Sequence, residues 1–349
     1  MKKVFIMAYL RKNFGDDLFV KMLLEKYTNL DFYIKYDKHE YLDFFKNYKN
    51  FHVLYGKDTD EELYNSDVNE YDAYVYIGGS IFMEGGSSYN LSEKFYEFVK
   101  RCKENNKPFC YISCNYGPYQ TQEYFDLSRK NFKECTDICF RDLYSYNLFS
   151  DIETVRYTPD FAFSYNTPSV EKQKNSVGIS VIDLGIRNDL KDKENTYIDF
   201  MCNNISNYLN SGNEVYLFSF CEHEGDERAI EKIINKFPNE SKLHSVKYTG
   251  DVDEFLKVYN KMEYMICARF HAMILSSIAK QKLYIMSYSK KINRVIEDLE
   301  LNLPILHFNE INENSTLNLE DFKSIEDDKI LKIVNDAKAQ DEAIRKYIV

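Results

Sequence analysis

No stretch of this chain is apolar for long enough to cross a bilayer, which takes about 20 residues, so a membrane-spanning protein is not expected. The opening apolar run, residues 1–9, is cut off by Arg11 and Lys12 before any cleavage pattern appears, and it reads as a first strand rather than a secretory signal. The expected location is therefore cytoplasmic. A basic excess is missing too. Lys and Arg number 45 against 56 Asp and Glu, a net charge of −11, and a general nucleic-acid binder needs a basic face. An anionic small substrate is not excluded, because a local arginine site can sit on an acidic protein. Metal-ligand spacing is also lacking. The eight cysteines are scattered, and the pairs Cys110/Cys114 and Cys135/Cys139 have no second pair or histidine pattern to complete a zinc site. Reduced, mostly buried thiols and no bound metal are expected. There is no tryptophan, no short-period repeat, and no G-x-G-x-x-G dinucleotide pattern.

What is present is ordinary for a globular protein: 44% hydrophobic and 29% charged residues. Tyr (30) and Phe (25) are abundant, and 349 residues suffice for two domains. Strand and helix patterns alternate throughout, which predicts an α/β class. Strands are expected over 3–9, 32–35, 51–54, 71–77, 108–113, 137–140 and 155–157, with helices over 16–27, 40–48, 90–103 and from Arg141-Asp142 onward. The polar segment 164–176, with Pro168 and no periodicity, reads as a linker. The alternation then restarts with strands over 177–182, 214–220, 243–247, 264–268 and 282–286, and helices over 196–209, 227–237, 252–262 and 293–299. Residues 327–348 carry a helical pattern that can run back across the first domain.

The most informative stretch is 263–279, EYMICARFHAMILSSIA. A buried strand runs straight into Arg269-Phe270-His271, where a buried helix begins. In an open α/β sheet ligands bind at that junction, and the helix start favours an anion. Arg269 adds a forked, permanent positive charge and His271 a group that exchanges protons near neutral pH. The plainer alternative pairs Arg269 with a surface carboxylate and has His271 cap the helix. Phe270 is expected to point into the core. Other strand ends carry similar punctuation: Asn13-Phe14-Gly15-Asp16, Gly78-Gly79-Ser80, Asn115-Tyr116-Gly117-Pro118, Arg141-Asp142, Pro159-Asp160, and Tyr288 with Lys291. Each has a local alternative. Asp16 and Asp142 serve as helix caps, the glycines form plain turns, and the tyrosines fill surface and core.

In this order the motifs resemble the polysaccharide pyruvyltransferase family over residues 3–301, most specifically in R-x-H with its helix and the tyrosine–lysine turn. Two departures stand out: Ser80 in place of a third glycine, and Cys114-Asn115 before Gly117-Pro118. The resemblance implies two Rossmann-like domains facing across a cleft, like the GT-B glycosyltransferases: an N-terminal domain over 1–165 on the acceptor side, a linker over 166–176, a C-terminal domain over 177–325 on the donor side, and a tail helix over 326–349. It implies transfer of the pyruvyl group of phosphoenolpyruvate to sugar hydroxyls of a cell-envelope or exported glycan, without a cofactor. Arg269 and His271 would handle the donor. Two anion sites are then needed, and arginine suits both a carboxylate and a phosphate. Arg141, Tyr288 and Lys291 are the further donor candidates. Asp16 is the candidate acceptor-side carboxylate beside His271 in catalysis. Asn13, Gly15, Gly78, Gly79, Ser80, Asn115 and Tyr116 are the candidates for the acceptor loops. The implied partners are phosphoenolpyruvate and a nucleotide- or lipid-linked sugar, the latter bringing peripheral membrane contact. The rival readings are a nucleotide-sugar glycosyltransferase on the same plan and a glycan-binding relative without turnover.

Overall fold

The computed structural model describes residues 1–36, 42–55, 60–86, 90–187, 190–312 and 315–349. The start of the helix anticipated over 40–48 and parts of the loops near residues 83–90 and 183–194 lie outside the described residues. The chain forms two compact units, the first Met1–Leu10, Asp16–Tyr165 and Ile333–Val349, the second Arg11–Gly15 and Asn166–Lys332.

The first unit is built on seven parallel strands: β1 (Lys2–Met7), β2 (Leu30–Tyr36), β3 (Phe51–Tyr55), β4 (Ala73–Ile77), β5 (Phe109–Cys114), β6 (Asp137–Phe140) and β7 (Val155–Tyr157), in the order β3-β2-β1-β4-β5-β6-β7. Its helices are α1 (Phe14–Lys26), α2 (Asp60–Tyr64), α3 (Glu93–Glu104), α4 (Gln122–Glu134) and α5 (Leu143–Phe149). Strands β4 and β5 are buried at every position, as a parallel sheet covered on both faces requires. Helix starts follow their caps. The Ser92 hydroxyl accepts from the Phe95 amide at 3.2 Å, and the Asp142 carboxylate accepts from the Ser145 amide at 2.8 Å. Helix α4 escapes the sequence pattern because its inner face carries Ser128 and Asn131 beside Tyr124 and Phe132. Both polar groups are used. Ser128 donates to the Tyr116 hydroxyl at 3.1 Å, and Tyr111 donates to Asn131. The abundant aromatics fill this core, with Tyr74 edge-on to Phe98 at 5.1 Å and Phe82 edge-on to Phe132 at 4.8 Å.

The second unit holds six parallel strands: β8 (Gln173–Ser180), β9 (Glu214–Ser219), β10 (Leu243–Lys247), β11 (Met262–Cys267), β12 (Lys282–Ser287) and β13 (Ile305–His307), ordered β10-β9-β8-β11-β12-β13. Helices α6 (Glu194–Asn210), α7 (Asp226–Ile234), α8 (Val252–Tyr259), α9 (Phe270–Ile278) and α10 (Lys290–Asp298) connect them. Strand β8 starts inside the expected linker because its first residues are solvent-facing and carry no apolar signal. The helix expected to reach residue 262 stops at Tyr259, since Met262 already pairs with Gln173 in the sheet.

The tail helix α11 (Asp327–Ala337) is shorter than the expected 327–348. The chain breaks there so that Gln340 can enter the first unit, fully buried. Its carbonyl accepts from the Ser113 amide at 2.9 Å, and its amide donates to the Thr158 carbonyl at 2.9 Å. All eight cysteines are free thiols and seven are buried. Among the described residues no helix is long and apolar enough to cross a membrane.

Candidate functional site

In each sheet the strand order reverses at one place, between β1 and β4 and between β8 and β11. The loops beyond the carboxyl ends of such strands form the crevice where open α/β sheets take ligands. Arg269-Phe270-His271 leaves β11 at that point.

Arg269 is the residue just before α9, in extended backbone. The Ser180 hydroxyl fixes the turn by accepting from the amides of Ala268 at 2.8 Å and Arg269 at 3.1 Å. The Arg269 side chain is 9% exposed. One terminal nitrogen pairs with Glu224 and the other with Asp226. Phe270, expected in the core, is instead half-buried, with its ring edge-on to His271 at 5.4 Å. The guanidinium can take the interior because two carboxylates compensate its charge there.

Those carboxylates sit on the loop after β9. Burial pushes Asp226 up to about 6, against the pull of Arg269 and of the Phe220 amide. Burial also disfavours ionised Glu224, yet Arg269, Arg187 and Lys291 outweigh it and hold the group below the usual carboxylate range. Burial would lower Arg269, but Asp226 and Glu224 raise it well above its ordinary value. The arginine is therefore a fixed cation between two partners, and an open anion clamp is not what its side chain presents. Arg187 lies in the loop after β8. It donates to Glu224 at 3.3 Å, and its guanidinium lies over the Tyr288 ring, 4.4 Å from the centroid. Lys291 stands in the first turn of α10.

The Arg11–Gly15 turn belongs to this unit, although the sequence places it in the N-terminal domain. Phe14 packs at 5.0–5.4 Å against Phe255, Tyr248 and Phe220, and its amide donates to the Phe220 carbonyl at 3.0 Å. Asn13 accepts from the Gly15 amide at 3.2 Å and donates to Glu224 at 3.3 Å. A Cβ on Gly15 would stand 1.8 Å from His271 Nδ1. Glycine inside a helix costs about 1 kcal/mol relative to alanine, so its presence in α1 reflects the close approach of the imidazole. Gly15→Ala is expected to displace His271 and lower activity about 10²-fold, since misplacing a reacting group by 1 Å carries that penalty. Steady-state rates of the folded variant check this, and near-wild-type activity would show that the contact is incidental.

The sequence-predicted residues of the first unit divide differently. Asp16 sits in the first turn of α1, whose start is capped by Asn13. A Cβ on Gly78 would lie 3.7 Å from the Asp16 carboxylate. Ser80 is exposed. Arg141, expected to supply a second anion site, is enclosed at 5% exposure, paired with Asp160 at 2.9 Å and donating to Asn115 at 2.8 Å. A Cβ on Gly79 would meet its guanidinium at 2.3 Å, so Gly79 makes room for a structural arginine. Asp142 caps α5, in agreement with the plainer reading of that pair. Tyr116, considered for an acceptor loop, is a core residue at 1% exposure, edge-on to Phe149 at 4.8 Å. An apolar ring at that depth is worth more than one at a wet loop.

The structure thus places Asn13 and Gly15, expected on the acceptor side, in one unit with Arg269, His271, Tyr288 and Lys291; Arg187, Glu224 and Asp226 were not among the sequence candidates. The acidic loop was visible after β9, but its partner arginine lies 43 and 45 residues away. Among the described residues no group of three or more His, Cys, Asp or Glu is placed to hold a metal.

Solved structures with this fold include a putative UDP-N-acetylglucosamine 2-epimerase from Listeria monocytogenes (TM-score 0.60, 11% identity, covering 99% of this chain and 96% of that one). The UDP-GlcNAc 2-epimerase from Neisseria meningitidis bound to UDP-GlcNAc is similar (TM-score 0.59, 9% identity, 99% and 100% covered). So is the UDP-GlcNAc 2-epimerase from Methanocaldococcus jannaschii (TM-score 0.57, 11% identity, 99% of each chain). At such identities the likeness establishes the fold: two parallel-sheet α/β domains of the GT-B type. A family model described as polysaccharide pyruvyl transferase matches residues 13–290, a span holding every one of these site residues except Lys291. The chain belongs to the polysaccharide pyruvyl transferase family.

Proposed function

We propose that this protein moves the pyruvyl group of phosphoenolpyruvate onto sugar hydroxyls, closing a pyruvate ketal on a cell-envelope or exported polysaccharide or on its precursor. The observation that carries the reading is His271 at the start of α9, set against Gly15, with Arg269 just before it and Arg187 and Lys291 acting on the same Glu224 carboxylate.

The chemistry asks for those groups. Phosphoenolpyruvate carries a carboxylate and a phosphate, and arginine and lysine charges bind both. In forming the ketal, one sugar oxygen adds to the central carbon while the methylene carbon takes a proton and becomes a methyl. A second hydroxyl oxygen of the same sugar then replaces the phosphate on that carbon. The two hydroxyl protons end on the methyl group and on the departing phosphate, so no oxidant or reductant is consumed. His271 is the group that hands over the proton, because imidazole takes and gives protons near neutrality. Arg187 and Lys291 take over the donor-binding duty that a clamp at Arg141 would have supplied. Asp16 is assigned to the acceptor hydroxyl, and a lipid- or nucleotide-linked sugar is the acceptor class.

Mass spectrometry of candidate sugars incubated with phosphoenolpyruvate and the protein tests this. The expected result is a pyruvyl ketal on the acceptor with one phosphate released per transfer. Thermal stabilisation by UDP-sugars with no response to phosphoenolpyruvate would replace the reading with a nucleotide-sugar glycosyltransferase. Acceptor binding without turnover of either donor would point to a glycan-binding relative.

A further inference from the structure

The two carboxylates that flank Arg269 are held in different ways. Asp226 is fully buried. Besides Arg269 it accepts from two main-chain amides, Phe220 at 3.0 Å and Cys221 at 3.1 Å, so the backbone of the β9 loop fixes it. Glu224 keeps 31% of its side chain exposed. Its carboxylate is held by side chains: Arg269, Arg187 at 3.3 Å and Asn13 at 3.3 Å, with Lys291 adding its field. It ends the short turn Glu222–Glu224 and is followed by Gly225 at φ +77°, a backbone state that favours glycine. A carboxylate held by the backbone and one held only by side chains thus share a single arginine.

We infer that Glu224 is an exchangeable counter-carboxylate: it occupies the donors that recognise the anionic substrate, and a ligand bearing a carboxylate or phosphate takes its place. This rests on the donor reading above and extends it to how the site selects its ligand. The set Arg187, Arg269 and Asn13 is what carboxylate recognition requires, two guanidinium groups and an amide. Formally, Arg187, Arg269 and Lys291 carry three positive charges against two negative ones on Glu224 and Asp226, leaving +1. With Glu224 turned out the set is left at +2, suited to a ligand with both a carboxylate and a phosphate. Asp226 stays in place, so Arg269 never loses its buried partner, and the exchange avoids the penalty of an unpaired interior charge. A neutral ligand cannot replace the lost ion pairs. Glu224 therefore works as a specificity-determining residue, rejecting ligands that bring no negative charge.

The test is isothermal titration of the full chain with phosphoenolpyruvate, and with inorganic phosphate and pyruvate as simple anion probes. E224Q keeps the side-chain shape and removes the charge, and E224S removes both. E222Q removes an exposed charge from the same turn. In E224Q and E224S, each checked for folding by circular dichroism, the Kd for phosphoenolpyruvate is expected to fall about tenfold, equivalent to 1.4 kcal/mol, with E222Q unchanged. Equal tightening in E222Q, or an unchanged or weaker Kd in both Glu224 variants, overturns the exchange and makes Glu224 a fixed brace. A second readout uses the wild-type chain: hydrogen exchange at the Gly225 amide, which is bonded to the Glu222 carbonyl at 2.9 Å. Displacement of Glu224 should speed it at saturating phosphate, and unchanged or slower exchange counts against the proposal. If phosphate and pyruvate bind more tightly to E224Q while phosphoenolpyruvate binds neither protein, the exchange stands and the donor reading falls.

Discussion

His271→Ala is expected to reduce pyruvyl transfer by about 10²–10⁴-fold, the usual worth of a positioned acid–base group, with little change in donor affinity. The imidazole stands in the first turn of α9, at a strand end on the reversal point of the sheet. It is packed so closely on Gly15 that no side chain fits at that position. Gly15 leaves the imidazole room at this strand end, and whether it reacts there is what the substitution tests. Truncation removes the imidazole and leaves the Gly15 backbone in place, so the fold should survive. Rates of phosphate release and ketal formation, measured with the Kd for phosphoenolpyruvate, separate the outcomes. A fall in the rate with an intact Kd supports proton handling. Full activity would remove His271 from the mechanism and leave it a packing residue of the Arg11–Gly15 turn.

Arg269→Ala is expected to cost about 3–5 kcal/mol of stability, the penalty for breaking a buried ion pair by deleting one partner. Asp226 is fully buried and already resists ionisation. Without the guanidinium it faces only the amides of Phe220 and Cys221. Against a typical total of 5–15 kcal/mol, such a loss is a large share. Arg269→Lys should recover only part of it, because an ammonium is a single point charge and cannot reach two carboxylates as a fork does. Since the chain has two units, one unfolding transition is not assumed. Hydrogen exchange resolved to α7 and α9 is the suitable measurement. A variant whose second unit is as protected as the wild type would show that the ion triad is not structural, and Arg269 would return to a purely ligand-binding role.

Much of this site was legible before any coordinates. The strand–helix alternation follows from local periodicity, and β6, β7 and β10 fall where the apolar pattern places them. The R-x-H junction was visible because a buried strand and a buried helix meet there without a loop. Arg141 and Tyr116 misled for one reason. A charge or an aromatic at a strand end looks the same in sequence whether it faces a ligand or the core. Only Asp160, Asn115 and Gly79 around the one, and Phe149 and Ser128 around the other, reveal which it is.

The sequence by itself determined the class of fold, the run of strands and helices, the family, and the presence of an arginine and a histidine at a ligand-binding junction. These depend on residues within a few positions of one another, where the spacing of side chains and the chemistry of caps decide the outcome. The tertiary structure alone decided that Arg11–Gly15 joins the second unit, that Gly15 faces His271, and that Glu224, Asp226 and Arg187 gather around Arg269. The contact between Asn13 and Glu224 spans 211 residues. Burial of charge depends on which partners arrive from such distances, and no local pattern carries that information.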